Sequence, residues 1–140
     1  MHYDLPITIK KTLEWYNRIK KVDERQDFTI IENHRIVAMG GLTHIDHSVN
    51  KAELYIFVNP DLHHLGIGTK ALNLICEYGF KKLSLNKIYL ETNEDNIYAI
   101  KLYIKRGFII EGKHRQEYIN SYGEYKDRLY LGLLKSDLKQ

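Results

Sequence analysis

The chain has 140 residues and a formal net charge of +3, from 21 Lys+Arg against 18 Asp+Glu; the size suits one domain, and the charge is too mild for a dedicated nucleic-acid binder. Hydrophobic residues at 44% and charged residues at 28% form an ordinary globular balance, which excludes wholesale disorder. Cys76 is the only cysteine, so neither an internal disulfide nor an all-cysteine zinc site can form. No stretch approaches the ~20 apolar residues of a membrane span, and the start, Met1 to Pro6, lacks the basic-then-apolar pattern of a secretory signal. These features predict a single cytoplasmic domain over residues 1–140 with no membrane association.

In chain order, Pro6 and Thr8 open a helix whose apolar residues Ile9, Leu13, Tyr16 and Ile19 recur at helical spacing to about Val22. Phe28–Ile31 and Arg35–Leu42 read as a hairpin turning at Asn33-His34, and His44–Asn50 as a polar loop. Ala52–Val58 is the strongest strand signal, ended by Asn59-Pro60. Leu72, Ile75, Cys76, Gly79, Phe80 and Leu83 then mark one stripe of a helix over Gly68–Leu83. Lys87–Thr92 is a short strand. Asp95 or Asn96 caps a helix carrying Ala99, Ile100, Tyr103 and Ile104, which Gly107 ends. Phe108–Tyr118 and Glu124–Leu134 form a long hairpin turning at residues 120–123. This order predicts an α+β (mixed α/β) domain with a mostly antiparallel twisted sheet, a central strand–helix–strand crossover and flanking helices.

Two segments carry chemistry. In the first, Val58 to Thr69, a strand runs through His63, His64, Leu65, Gly66, Ile67 and Gly68 into a helix. Backbone N–H groups at the positive end of a helix suit a phosphate, and glycine is needed where a phosphate approaches too closely for a Cβ. Gly-Ile-Gly is neither a P-loop nor a complete Rossmann fingerprint, and a helix start without a ligand would read the same way. In the second segment, Asn93 to Phe108, Tyr103 sits seven residues after Asn96, on roughly the same helix face. Asn96 can cap the helix or bind a ligand. Tyr103 is a phenol able to protonate a thiolate, or a core aromatic.

The pairing of Leu62-His63-His64-Leu65-Gly66-Ile67-Gly68 with Asn96-x-x-Ala99-Ile100-x-Leu102-Tyr103-x-x-x-Gly107-Phe108 resembles the GNAT superfamily of acetyl-CoA-dependent N-acetyltransferases. The closing run, Glu111 to Arg115, Tyr122 to Asp127 and Leu131 to Leu134, looks like the RimJ/RimL-type branch. The resemblance implies that strand Ala52–Val58 splays from Lys87–Thr92 to admit the pantetheine arm of acetyl-CoA, which pairs with Phe57 and Val58. Amides of His63, His64, Leu65, Gly66, Ile67, Gly68 and Thr69 would hold the pyrophosphate. Asn96 would contact the pantetheine side, and Tyr103 would protonate the departing thiolate. His63 stands where the family usually has Gln or Arg. Family members also begin with a strand and a helix for which this chain has only about eight residues, so an N-terminal strand looks missing and Phe28–Ile31 would be an exposed edge.

Acyl transfer to an amine needs the amine neutral, and a free alkylamine titrates near ~10. Glu53 is the candidate base, the carboxylate of the central strand, sharing a face with Tyr55 and Phe57; a solvent-facing glutamate is the plainer reading of it. A backbone N–H near Val58 could polarise the thioester carbonyl. Cys76 reads as a small core residue, and His44, His47, His63 and His64 as ordinary histidines, so no metal is expected. Arg115, Lys126 and Arg128 among Tyr118, Tyr122, Tyr125 and Tyr130 could stack bases, but a sheet face or dimer contact wants the same residues. The expected partners are a primary-amine acceptor and a second copy of the chain. The competing function is a non-catalytic module that binds acyl-CoA or another protein.

Overall fold

A computed structural model of the chain describes residues 25–138. The helix expected over Thr8–Val22, and the question of a missing N-terminal strand, lie outside the described residues. Six strands and two α-helices follow in the order β1 (Arg25–Glu32), β2 (Arg35–Asp46), β3 (Lys51–Val58), α1 (Ile67–Glu77), β4 (Lys87–Asn93), α2 (Ile97–Arg106), β5 (Ile109–Ile119) and β6 (Tyr125–Leu134). They make one sheet ordered β1-β2-β3-β4-β6-β5. Every neighbouring pair is antiparallel except β3 and β4, which the α1 crossover joins in parallel. The expected mixed architecture is therefore the one observed, and among the described residues β1 is an edge strand.

Local chemistry accounts for most boundaries. Asn33 and His34 both take positive φ, 52° and 63°, the backbone a two-residue hairpin needs between β1 and β2. Asn96 Oδ1 accepts from the Ala99 amide at 3.3 Å to cap α2, and Gly107 at φ 116° ends it. Two boundaries differ from the sequence reading. The helix expected to reach Leu83 is α-helical only to Glu77, then widens into a π-turn over Tyr78–Lys82. The widening keeps Phe80 buried while Tyr78 meets Phe28 edge-on, with centroids 5.1 Å apart. The other difference is in β2. It continues through His44 to Asp46, where a loop was expected, because a register shift between Thr43 and Asp46 absorbs the polar residues without breaking the strand.

Both helices lie on one face of the sheet. Beneath them Leu42, Leu54, Ile88, Leu90, Leu131 and Leu133 pack against Leu72, Ile75, Cys76 and Tyr103. On the opposite face the alternating residues Glu53, Tyr55 and Phe57 of β3 are half-buried to exposed. Leu42 is fully buried at the centre of the core. Its replacement by Ala is expected to cost about 2–5 kcal/mol in urea unfolding; an unchanged midpoint would contradict this packing.

Candidate functional site

The parallel pairing of β3 and β4 lasts only from Lys51–Lys87 through Ala52–Ile88 to Glu53–Tyr89. Beyond that rung β3 runs on to Val58 and β4 to Asn93, each unpaired with the other, while their outer edges stay bonded to β2 and β6. The sheet splits into a wedge whose vertex is at Glu53 and Tyr89. The wedge opens toward the loop between β3 and α1.

That loop is built by its own residues. Asn59 caps a 3-10 turn over Pro60–Leu65, accepting from the Asp61 amide at 3.0 Å. Gly66 follows at φ 77°, in the left-handed region, and nothing lies within 4 Å of where a Cβ would stand. Helix α1 then starts with no side-chain cap and no acidic residue in its first turn. The amides of Ile67, Gly68 and Thr69 precede the first intrahelical bond, from the Lys70 amide to the Gly66 carbonyl at 3.2 Å. A phosphate-bearing ligand fits here: the amides are uncommitted, the dipole is favourable and the Gly66 side is open. His63, His64 and Leu65, included in the expected cradle, belong to the 3-10 turn instead. Its i to i+3 bonding leaves fewer of their amides for a ligand.

The structure gives His63 and Gly68 additional roles. His63 Nε2 lies 3.2 Å from the Val58 carbonyl oxygen, and the ring stacks on Tyr98 of α2, centroids 3.7 Å apart and 8° from parallel. A Cβ on Gly68 would press on Tyr98 Oη and stand 3.1 Å from Leu102 Cδ2. The immediate reason for glycine at 68 is therefore the close approach of α1 and α2, where the sequence suggested a phosphate. Tyr98 is the residue sequence reasoning missed; a small residue in one segment facing an aromatic in the other was the only signal.

The segment before α2 is bolted to the β5–β6 hairpin. Glu94 Oε2 accepts from the Asp127 amide at 2.5 Å, the Glu94 amide donates to the Asp127 carbonyl at 3.1 Å, and the Asp95 amide donates to Tyr118 Oη at 3.3 Å. Arg128 Nε donates to Asn93 Oδ1 at 3.1 Å and the guanidinium lies over the Tyr118 ring. Along α2, Tyr103 is buried in the core with its ring tilted on Phe108. Burial pushes its phenol up to about 12, with Cys76 and Tyr98 adding to the rise. Cys76 is wholly buried and its thiol is also pushed up to about 12 by burial, a core residue and no nucleophile.

On the open face, at the vertex, Glu53 Oε1 is 3.2 Å from His44 Nδ1. Tyr89 stacks on Tyr130 at 5.5 Å, with Lys51 and Lys87 over the two rings. Glu91 pairs with His114 at 2.8 Å and Glu111 with Lys87 at 2.7 Å. Phe57 is 68% exposed along the β3 side of the wedge, and Val58 is buried behind it. The sequence-predicted residues thus divide between the wedge and the helix α2. Phe57, Val58 and Glu53 lie on the strand that borders the wedge and the loop follows that strand, while Asn96 serves as the α2 cap and Tyr103 is buried in the core on the helix-covered face. Among the described residues no group of His, Cys, Asp and Glu could hold a metal ion.

Gly68→Ala is expected to lower the melting temperature, by the ~1–3 kcal/mol typical of overpacking. Adding Tyr98→Phe, which removes the crowded hydroxyl, should recover part of the loss. Failure of the double variant to recover any of it would contradict this contact.

Comparison with known proteins agrees with this geometry. Spermidine N(1)-acetyltransferase of Escherichia coli is 35% identical over 88 residues, 63% of this chain and 47% of that protein. The Vibrio cholerae protein of the same name is 28% identical over 121 residues, 84% of this chain and 69% of its own length. The chain spans about half the length of the Escherichia coli relative. A solved structure of spermidine/spermine N-acetyltransferase SpeG from Vibrio cholerae, in complex with manganese ions, superposes with a TM-score of 0.77 at 26% identity, covering 91% of this chain and 75% of that one. Residues 3–108 match the acetyltransferase (GNAT) family, and the chain belongs to that family.

Proposed function

We propose that this protein transfers an acetyl group from acetyl-CoA to a primary amine by direct attack, with Glu53 as base and Tyr103 as the group that assists the leaving sulfur. One observation carries the reading. Glu53 and Tyr103 lie on opposite faces of the sheet, and β3 and β4 cease to pair beyond Glu53 and Tyr89, which leaves a gap between the strands for a reacting carbon. An amine entering from the Glu53 side attacks one face of a thioester whose sulfur is turned toward α2.

Acetyl-CoA supplies an activated acyl group and a thiolate leaving group. The residues supply the rest. The amides of Ile67, Gly68 and Thr69 hold the pyrophosphate beside the open Gly66. Phe57 and Val58 run along the pantetheine arm through backbone groups, His63 holds the loop in shape, and Asn96 stands at the arm's far side. With its phenol near 12, about 3–4 units above an ordinary thiol, Tyr103 acts first as a hydrogen-bond donor to the sulfur. Full transfer is completed by the proton that the acceptor nitrogen sheds. An oxyanion donor near Val58 completes the set.

The spermidine acetyltransferases among its relatives support an alkyl polyamine as the acceptor class. The closing hairpin supports a place in the RimJ/RimL-type branch. A cytoplasmic location is supported by the lone buried Cys76 and by the absence, among the described residues, of any helix long and apolar enough to cross a membrane. The exposed Ile109, Ile110, Ile119, Tyr122 and Tyr125 of the hairpin support a homodimer.

Tyr103→Phe should bind acetyl-CoA as the wild type does in calorimetric titration while kcat falls by ~10²-fold or more. Wild-type turnover by the variant would remove Tyr103 from the reaction, and a wild type that binds no acetyl-CoA would overturn the whole reading. Light scattering at micromolar concentration should return twice the chain mass; a monomer mass contradicts the dimer.

A further inference from the structure

Of the non-glycine residues with positive φ, Asn33, His34, Asn50 and Ser84 are in turns or loops, while His44 is inside β2 and Gln116 inside β5, each where the strand pairing shifts register. His44 takes φ 52° where the pairing with β3 shifts register between Thr43 and Asp46. A left-handed histidine within a strand is strained and persists where its surroundings hold it. The conformation aims the ring: His44 Nδ1 lies 3.2 Å from Glu53 Oε1 and 3.2 Å from Thr43 Oγ1, whose hydroxyl donates to the Glu53 carbonyl at 3.5 Å. The imidazole is 74% exposed and the Glu53 side chain 31%. The pair therefore links the vertex of the wedge to bulk water.

We propose that His44 is the proton exit of the acetyl-transfer site, taking from Glu53 the proton that the acceptor ammonium gives up and passing it to water. The inference rests on the acetyltransferase reading above. An alkylammonium R–NH3+ yields one proton to the Glu53 carboxylate and becomes R–NH2, its nitrogen lone pair free. His44 Nδ1 accepts that proton from the Glu53 carboxylic acid, the imidazolium loses a proton from Nε2 to water, and exchange with solvent resets the tautomer. The amine then bonds to the thioester carbon and the C–S bond breaks. The nitrogen's second proton replaces the one Tyr103 gives to the thiolate. The sum is R–NH3+ plus acetyl-CoA giving R–NH–acetyl, CoA-SH and one proton, the one His44 discharges. A carboxylate is a weak base toward an alkylammonium, so a drain behind it keeps Glu53 ready to accept again.

Other groups face this pair without replacing it. Tyr89 of β4 and Tyr130 of β6 both feel the Glu53 charge, and Asp46 and Glu91 lie close enough to act on Tyr89. Lys51 sits over the Tyr89 ring. Arg25 of β1, opposite Thr43, is held by Asp27 at 2.7 Å. Among the described residues in direct contact with Glu53, His44 is the one whose two ring nitrogens can accept a proton on one side and release one on the other.

The test measures kcat and KM against pH, with spermidine and acetyl-CoA, for wild type, His44→Asn, and His44→Ala with and without added imidazole. Asparagine tolerates the left-handed backbone, so His44→Asn should keep the wild-type melting temperature and the KM for acetyl-CoA. Its kcat should fall ~10-fold or more. In the wild type kcat should drop as pH is lowered; His44→Asn should lose that limb, and imidazole should restore His44→Ala. A His44→Asn enzyme with wild-type kcat and pH profile would overturn the relay, as would a slowed His44→Ala that imidazole does not rescue. A wild type inactive on spermidine and on simple primary amines overturns the acetyltransferase reading itself and the relay with it.

Discussion

The sheet is joined across its middle by only three parallel rungs, from Lys51–Lys87 to Glu53–Tyr89. On one side β1, β2 and β3 are an antiparallel set; on the other, β4, β6 and β5 are a second. The halves stay together because their buried faces share one core under α1 and α2, with Leu42 and Leu54 from the first half and Ile88, Leu90, Leu131 and Leu133 from the second. Hydrophobic burial, nondirectional, does the joining that strand hydrogen bonds leave undone. The strands are free to part beyond Glu53 because the core does not need them to pair there.

The loop before α1 and the start of α2 are also physically one. His63 stacks on Tyr98, and Gly68 makes room for the same tyrosine's hydroxyl. A change at residue 98 would move both the 3-10 turn and the first turn of α1. The first turn of α1 and helix α2 therefore keep a fixed spacing, and in the proposed acyl transfer a misplacement of ~1 Å could cost ~10²-fold in rate.

Much of this was legible in the sequence, and the rest was hidden for definite reasons. The apolar run of β3, the Asn96 cap, the Gly107 stop and the Asn33-His34 turn are local, and each is a short-range preference that the fold respects. The π-turn after Glu77 was not legible, because the apolar spacing of Phe80 and Leu83 suits an α-helix equally well. His44 read as loop, because a histidine in a polar stretch gives no sign that a neighbouring strand will present Glu53 to it. The packing of Gly68 on Tyr98 was not legible, because Tyr98 is far along the chain and close only in three dimensions. What stayed hidden shares a cause: the contacts of His44 with Glu53, of Gly68 with Tyr98 and of Tyr78 with Phe28 each depend on a partner that only tertiary structure supplies.

Glu94 and Asp127 are 33 residues apart in sequence yet exchange two hydrogen bonds, and Asp127 Oδ1 also accepts from the Gln116 amide at 2.8 Å. The hairpin and the start of α2 are thereby one cooperative unit. Local opening that separates β6 from this loop also loosens the segment holding the Asn96 cap, and neither frays alone. The hairpin, which reads in outline as a peripheral appendage, thus sets how long the interior helix keeps its first turn.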